Sequence, residues 1–290
     1  MRHIRESTGS EFGPGRIVKV LEECYAADHI PCSNPVLAEQ RTFADGDSLF
    51  WAQYCFASPI IGARGQVLFD HRRVDPRSLA DHPLLNPAYL SDNWNKMQKG
   101  ALPVPSAYVD ALADLARAET QDPLTGRRLA WSVPLNTIKE QGINDVGSVS
   151  NAGNTQFATA FLGLMGKERP SYLSRHKEVR GDRIVLWYHL DDASQEDALG
   201  RVSVFNYSND LIGDGNLGNK NARLFGVPFG AEGATQNFSG LETQIVGESP
   251  SVDAILAEVC RGIQDWDPRT TPLTGDHFRP YLASLFKQKQ

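Results

Sequence analysis

Residues 171–192 read SYLSRHKEVRGDRIVLWYHLDD. Two of the seven histidines fall here: His176 stands two residues before Glu178, and His189 two before Asp191. On a strand, positions i and i+2 point to the same side. Either pair then offers an imidazole and a carboxylate side by side, a donor set suited to a divalent metal. Between the pairs, RIVLWYHL is dense in β-branched and aromatic residues and reads as a strand. The plain alternative is a hydrogen-bonded strand histidine in WYHL and a solvated loop in DDASQED.

Working outward, RVSVFNY, ARLFGVPFG and LETQIVG read as further strands, and NDLIGDGNLGNKN (209–221) as a long turn. Asp210, Asp214, Asn216 and Asn219 in that turn are hard oxygen donors, but they lack the order of a calcium loop. RRLAWSVPL reads as a strand, and FATAFLGLMG as a short helix. GINDVGSVSNAGNTQ (142–156) reads as a polar loop. Its Ser148 and Ser150 lie among glycines without the G-x-S-x-G spacing of a nucleophile elbow. Nearer the start, Ile17, Val20, Leu21 and Cys24 fall at helical spacing, as do Val109, Leu112, Leu115 and Ala116. SLFWAQYCFASPIIG and GQVLFD fit either core strands or a helix followed by a strand, and 71–105 is loop-rich with room for short helical turns. Val252, Ile255, Leu256, Val259, Cys260 and Ile263 mark a C-terminal helix.

The pattern predicts an α+β chain in a single domain, 1–290. A helical, loop-rich part covers 1–130, a β-rich part 131–250 and a helix 251–290.

SYLSRHKE, RGDRIVLWYHLDD and EDALGRVSVF together resemble the central block of iron(II)- and 2-oxoglutarate-dependent oxygenases of the prolyl-hydroxylase type. NARLFGVPF resembles the strand that precedes the distal histidine in that family. The resemblance implies a double-stranded β-helix, jelly-roll-like core with flanking helices. It implies His176 and Glu178 as metal ligands, Fe(II) and 2-oxoglutarate as cofactors, and hydroxylation of a small molecule or peptide. GAEGATQNFSG, where a second histidine is expected, carries Gln236 and Asn237 instead, and LETQIVGE offers no arginine. The competing set is His189 and Asp191 with distant His277, and Arg279 beside it to hold a carboxylate. A non-catalytic binding or assembly subunit on an α+β fold is the alternative to an enzyme.

Twenty-nine Lys and Arg against thirty-five Asp and Glu give a net charge of −6, which disfavours non-specific nucleic-acid binding. Cys24, Cys32, Cys55 and Cys260 form no CxxC pair and no zinc spacing, so buried free thiols are expected. With no apolar leader and no apolar run near 18 residues, the expectation is a cytoplasmic chain without a membrane span. A homo-oligomer is left open.

Overall fold

The computed structural model describes residues 10–229, apart from 53–54, 124, 142, 145, 195 and 207–209. His277, Arg279, Gln236, Asn237, LETQIVG and the 252–263 stripe lie outside the described residues. The chain divides into two compact units, Met1–Gln236 and Asn237–Gln290; the described residues belong to the first.

Strand β1 (Ser10–Gly15) leads into helix α1 (Ile17–Ala26). The spacing of Ile17, Val20, Leu21 and Cys24 puts all four on one face, and each is at most 1% exposed. Strand β2 (His29–Pro31), helix α2 (Asn34–Phe43) and one turn of helix, α3 (Leu49–Ala52), follow. The aromatic stretch 48–62 thus resolves into a helix and then a strand, β3 (Cys55–Ala63), whose nine residues are all buried. Pro59 cannot donate to a ladder, and the β3 register shifts between Phe56 and Pro59, as a bulge does. β3 turns into β4 (Gln66–Asp70) through Arg64 and Gly65, both at positive φ, the backbone of a type I′ hairpin.

Short helical turns occupy the loop-rich stretch, with α4 (Pro87–Asp92) capped by the Asn86 side chain. Strand β5 (Leu102–Pro103), helix α5 (Ser106–Arg117), strand β6 (Ala130–Pro134) and helix α6 (Leu135–Glu140) come next. Within the polar 142–156 stretch lie β7 (Val146–Ser148) and the single turn α7 (Val149–Ala152). Helices α8 (Gln156–Leu162) and α9 (Glu168–Arg180) precede strand β8 (Arg183–Tyr188) and the short helix α10 (Leu190–Ser194). The described chain ends with β9 (Leu199–Phe205), β10 (Asp210–Gly215) and β11 (Ala222–Pro228).

Two further sequence expectations change. SYLSRHKE is not a lead-in to a strand but part of α9: Tyr172, Leu173 and His176 are buried at helical spacing, and Gly181 at φ 86° ends the helix. NDLIGDGN is not only a turn, because Leu211 and Ile212 pair with both β8 and β9. Its glycines are required by closeness: a Cβ on Gly215 would strike the Val202 carbonyl, and one on Gly213 would lie 2.8 Å from Tyr188 Cδ2.

The strands join in the order β1-β11-β3-β9-β10-β8-β7, with β2, β4, β5 and β6 attached beside this path. Most pairs are antiparallel, while β8–β10 and β3–β11 are parallel. The α+β class holds. The expected double-stranded β-helix is two facing antiparallel sheets, whereas these strands hydrogen-bond into one mixed sheet. Both faces are covered. Ile60, Phe69, Phe205 and Phe225 join the core under α2, α8 and α9; Phe56, Leu68, Val202 and Leu224 join the core under α1, α4 and α5. That explains why β3 and β9 are buried throughout rather than on alternate residues. No helix among the described residues is long and apolar enough to cross a membrane.

Candidate recognition site

The metal pairs read from the sequence do not assemble. On a helix, residues two apart diverge by about 200°. His176 is 1% exposed, while the Glu178 side chain is 70% exposed and pairs with Arg175 at 2.9 Å. His189 follows β8 with its ring edge against Trp187, 5.2 Å between centroids. Asp191 lies in the first turn of α10 and is exposed, so the strand relation between i and i+2 lapses at the strand's end. Among the described residues no three His, Cys, Asp or Glu converge as metal ligands. Ser148 accepts from the Asn151 amide and caps α7. Cys24 and Cys55 are buried, which pushes both thiols up to about 12.

Ser58 and His71 look like a nucleophile and its base but are sealed in. His71 Nε2 meets the Ala160 carbonyl at 2.8 Å, so it carries the proton, and Nδ1 accepts from Ser58 Oγ at 2.9 Å. Ser58 is 1% exposed and is tied through its own amide to Asn34. Burial holds His71 down at about 4. This is a structural tie between α2, β3 and α8. Nearby, Asp70 accepts from Arg72 Nε and Nη2, each at 2.9 Å, and from Tyr108 Oη at 2.9 Å. Burial opposes that charge, but hydrogen bonds from His82 and Arg72 hold the carboxyl far below the usual range.

A different arrangement presents side chains to solvent. Gln98 and Ala101 exchange both backbone hydrogen bonds, at 2.8 and 2.9 Å, around Lys99 and Gly100. Both central residues have positive φ, 47° and 85°. That is a type I′ turn, in which the first position ordinarily goes to Asn, Asp or Gly. A Cβ on Gly100 would lie 2.5 Å from Asn216 Oδ1, so the second position must be glycine. Lysine in the left-handed region is strained by about 1–2 kcal/mol. The strain is held from beneath: Arg201 Nη1 donates to the Lys99 carbonyl at 2.9 Å, and Arg201 Nε donates to Asp192 at 2.5 Å. Arg201 is 1% exposed and Asp192 4%.

The 216–221 turn lies against this hairpin. The Leu217 amide donates to the Gly100 carbonyl at 3.0 Å, and Asn216 and Asn219 each accept from the backbone two residues on, at 2.8 Å. Asp92, Asn95, Lys96, Gln98, Lys99 and Lys220 stand exposed around the seam. The backbone is pinned and the side chains reach solvent, Lys96 donating to Asn93 Oδ1 at 2.9 Å, with three lysines against one aspartate. None of these residues carries a motif. The available signal was lysine before glycine at a two-residue hairpin.

The second polar centre is internal. Arg41 of α2 is 2% exposed, with its guanidinium carbon 5.1 Å from the Trp51 ring centroid and 4.9 Å from that of Phe205. Tyr172 stacks on Trp51 at 6.2 Å and His176 meets Trp51 edge-on at 5.9 Å. Arg41 Nε, Arg41 Nη2 and His176 Nδ1 are buried outside any well-formed hydrogen bond, and the buried Tyr172 hydroxyl has the Arg41 guanidinium as its neighbour. The groups acting on Arg41 are Tyr172, both through charge and through its hydroxyl as a hydrogen-bond acceptor, then Cys55 and Arg180; no carboxylate among the described residues is one of them. Burial, then Arg41 and Arg180, hold His176 down at about 4. A positive surrounding of this kind repels the metal cation that the sequence suggested for His176.

No protein-family profile and no curated protein matches the chain. A solved structure described as "Accommodation of massive sequence variation in Nanoarchaeota by the C-type lectin fold" is similar to it. The TM-score is 0.60 and the identity 24%, over 78% of this chain and 100% of that one. The chain is similar to the C-type lectin fold.

Proposed function

We propose that this chain is a non-catalytic recognition protein, which uses a C-type-lectin-like scaffold to present the polar face of residues 92–99 and 216–221 to an acidic partner. The observation that carries this reading is Lys99. A lysine is held in a left-handed turn position, where asparagine or glycine would be less strained, by a buried arginine that donates to its carbonyl. Strain kept in place by a rigid support is characteristic of binding sites built on loops. The likeness to the C-type lectin fold supports the reading by analogy of fold only.

The oxygenase expectation, with Fe(II) and 2-oxoglutarate, needs two histidines and a carboxylate on one side of an open site. Its first pair points to opposite sides of α9, and Glu178 is engaged with Arg175. The binding alternative therefore has the better support.

The test is retention on a panel of immobilised acidic and neutral glycans and peptides. Wild type is compared with the Lys96→Ser, Lys99→Asn, Lys220→Ser triple variant. An acidic panel member that is held by wild type and released by the folded variant supports the proposal. Failure of every acidic member to bind, or equal binding by the variant, refutes it.

A further inference from the structure

We infer that the buried centre around Arg41 is a binding site for a small oxyanion, a carboxylate or phosphate group, gripped by the Arg41 Nε/Nη2 edge with Tyr172 and His176 as flanking donors. The inference is independent of the polar face.

Nε–H and Nη2–H point the same way from the guanidinium plane's side and match the two oxygens of a carboxylate. This chain uses that edge twice elsewhere. Arg72 holds Asp70 through Nε and Nη2 at 2.9 Å each, and Arg77 holds Asp75 through the same atoms at 3.0 Å each. In Arg41 the same two atoms are buried outside any well-formed hydrogen bond. A buried guanidinium without an anion is costly, and rings at 5.1 and 4.9 Å offset only part of that.

The other two groups lie close by. Tyr172 and His176 have ring centroids 6.1 Å apart and both border Trp51. Tyr172 Oη is a donor, and neutral His176 is one in its Nδ1–H form. Around one aromatic ring stand a guanidinium edge, an imidazole and a tyrosine hydroxyl whose oxygen faces the guanidinium and whose proton remains to be donated, with no carboxylate among the described residues acting on Arg41, an arrangement complementary to a small anion. Arg180, half-buried over Trp51 at 6.0 Å and bonded to the Trp51 carbonyl, adds positive charge on the outer side. The packing limits what the centre could admit: Trp51, Tyr172 and His176 are each at most 1% exposed, so the proposed ligand is a single small group and not a chain.

Thermal unfolding and calorimetric titration of the full chain, with sodium acetate and with inorganic phosphate at constant ionic strength against chloride, test this. The expected result is an unfolding midpoint that rises with one of the two anions and not with chloride. Tyr172→Phe is expected to raise the dissociation constant about tenfold, as the loss of one charge-assisted hydrogen bond does. Arg41→Met should abolish binding. If that variant does not fold, Tyr172→Phe still decides the question. The acetate and phosphate arms distinguish a carboxylate ligand from a phosphate ligand. No rise with either anion, or an equal rise in wild type and Tyr172→Phe, overturns the inference.

Discussion

Replacing Asp192 with asparagine strikes the support of the polar face without touching its surface. Asp192 Oδ2 accepts from Arg201 Nε at 2.5 Å and Oδ1 accepts from Nη2 at 3.4 Å, with side chains 6% and 1% exposed. Breaking one member of a buried pair costs about 3–5 kcal/mol, because the remaining charge is stranded. Asparagine keeps one acceptor, which returns about 1 kcal/mol. The net expectation is a loss of about 2–4 kcal/mol, or roughly 4–16 °C in Tm for a unit of this size. Urea denaturation followed by circular dichroism measures it, with an unchanged m-value as the sign that the folded state is the same. Adding Arg201→Met to Asp192→Asn removes the stranded charge, so the double variant should lose at least about 1 kcal/mol less than the sum of the singles. The Gln98 and Ala101 amides should nevertheless exchange faster in it, because the Lys99 carbonyl has lost its donor. A loss below about 1 kcal/mol for Asp192→Asn, or strict additivity, would refute the reasoning.

Gly62→Ala should cost about 2 kcal/mol or more. The new methyl would lie 2.5 Å from Tyr188 Oη and 2.6 Å from the Ala193 amide, and backbone cannot yield cheaply; chemical denaturation against wild type is the check. Lowering the pH from about 6.5 to 4 should reduce stability, because His71 and His176 are held at about 4 while the unfolded chain takes up protons near 6.5. Each contributes a slope of up to about 1.4 kcal/mol per pH unit across that window. Stability measured as a function of pH should therefore flatten in His71→Gln, and an unaltered slope would contradict the assignment. Below about pH 4, loss of the depressed Asp70 charge should lower stability further, an effect present above the unfolded carboxyl pKa and lost as pH falls. Glu178→Gln should leave the visible spectrum of added Co(II) unchanged, since Glu178 is exposed and paired with Arg175; a lost absorption band would restore the metal reading.

Helices α1 and α5 were legible because their apolar residues repeat at the helical period, and strands β8, β9 and β11 because they are dense in β-branched and aromatic residues. Strand β10 was not, because its glycines imitate a turn; their reason is contact with Val202 and Tyr188, which no local pattern reveals. The most consequential misreading was α9. A His-x-Glu pair beside a strong strand invites a strand reading, yet Tyr172, Leu173, His176 and Val179 already form a helical stripe in which Glu178 faces away. The Arg41 centre was invisible because its members come from α2, α3 and α9 and meet only through folding. Lys99 was half legible: lysine-glycine marks a turn, but the arginine that stabilises it lies a hundred residues downstream.

The dissociation constant of the Lys99→Asn variant, measured beside its stability, tests the central claim most directly. Relief of the left-handed lysine should raise stability by about 0.5–1 kcal/mol, since asparagine tolerates that backbone region. If the strain is retained for recognition, the same substitution should weaken binding of the acidic partner several-fold. An Arg64→Asn control, at the equivalent turn position of the β3–β4 hairpin, should stabilise without changing affinity. A Lys99→Asn variant that is more stable and binds as tightly as wild type would contradict the account.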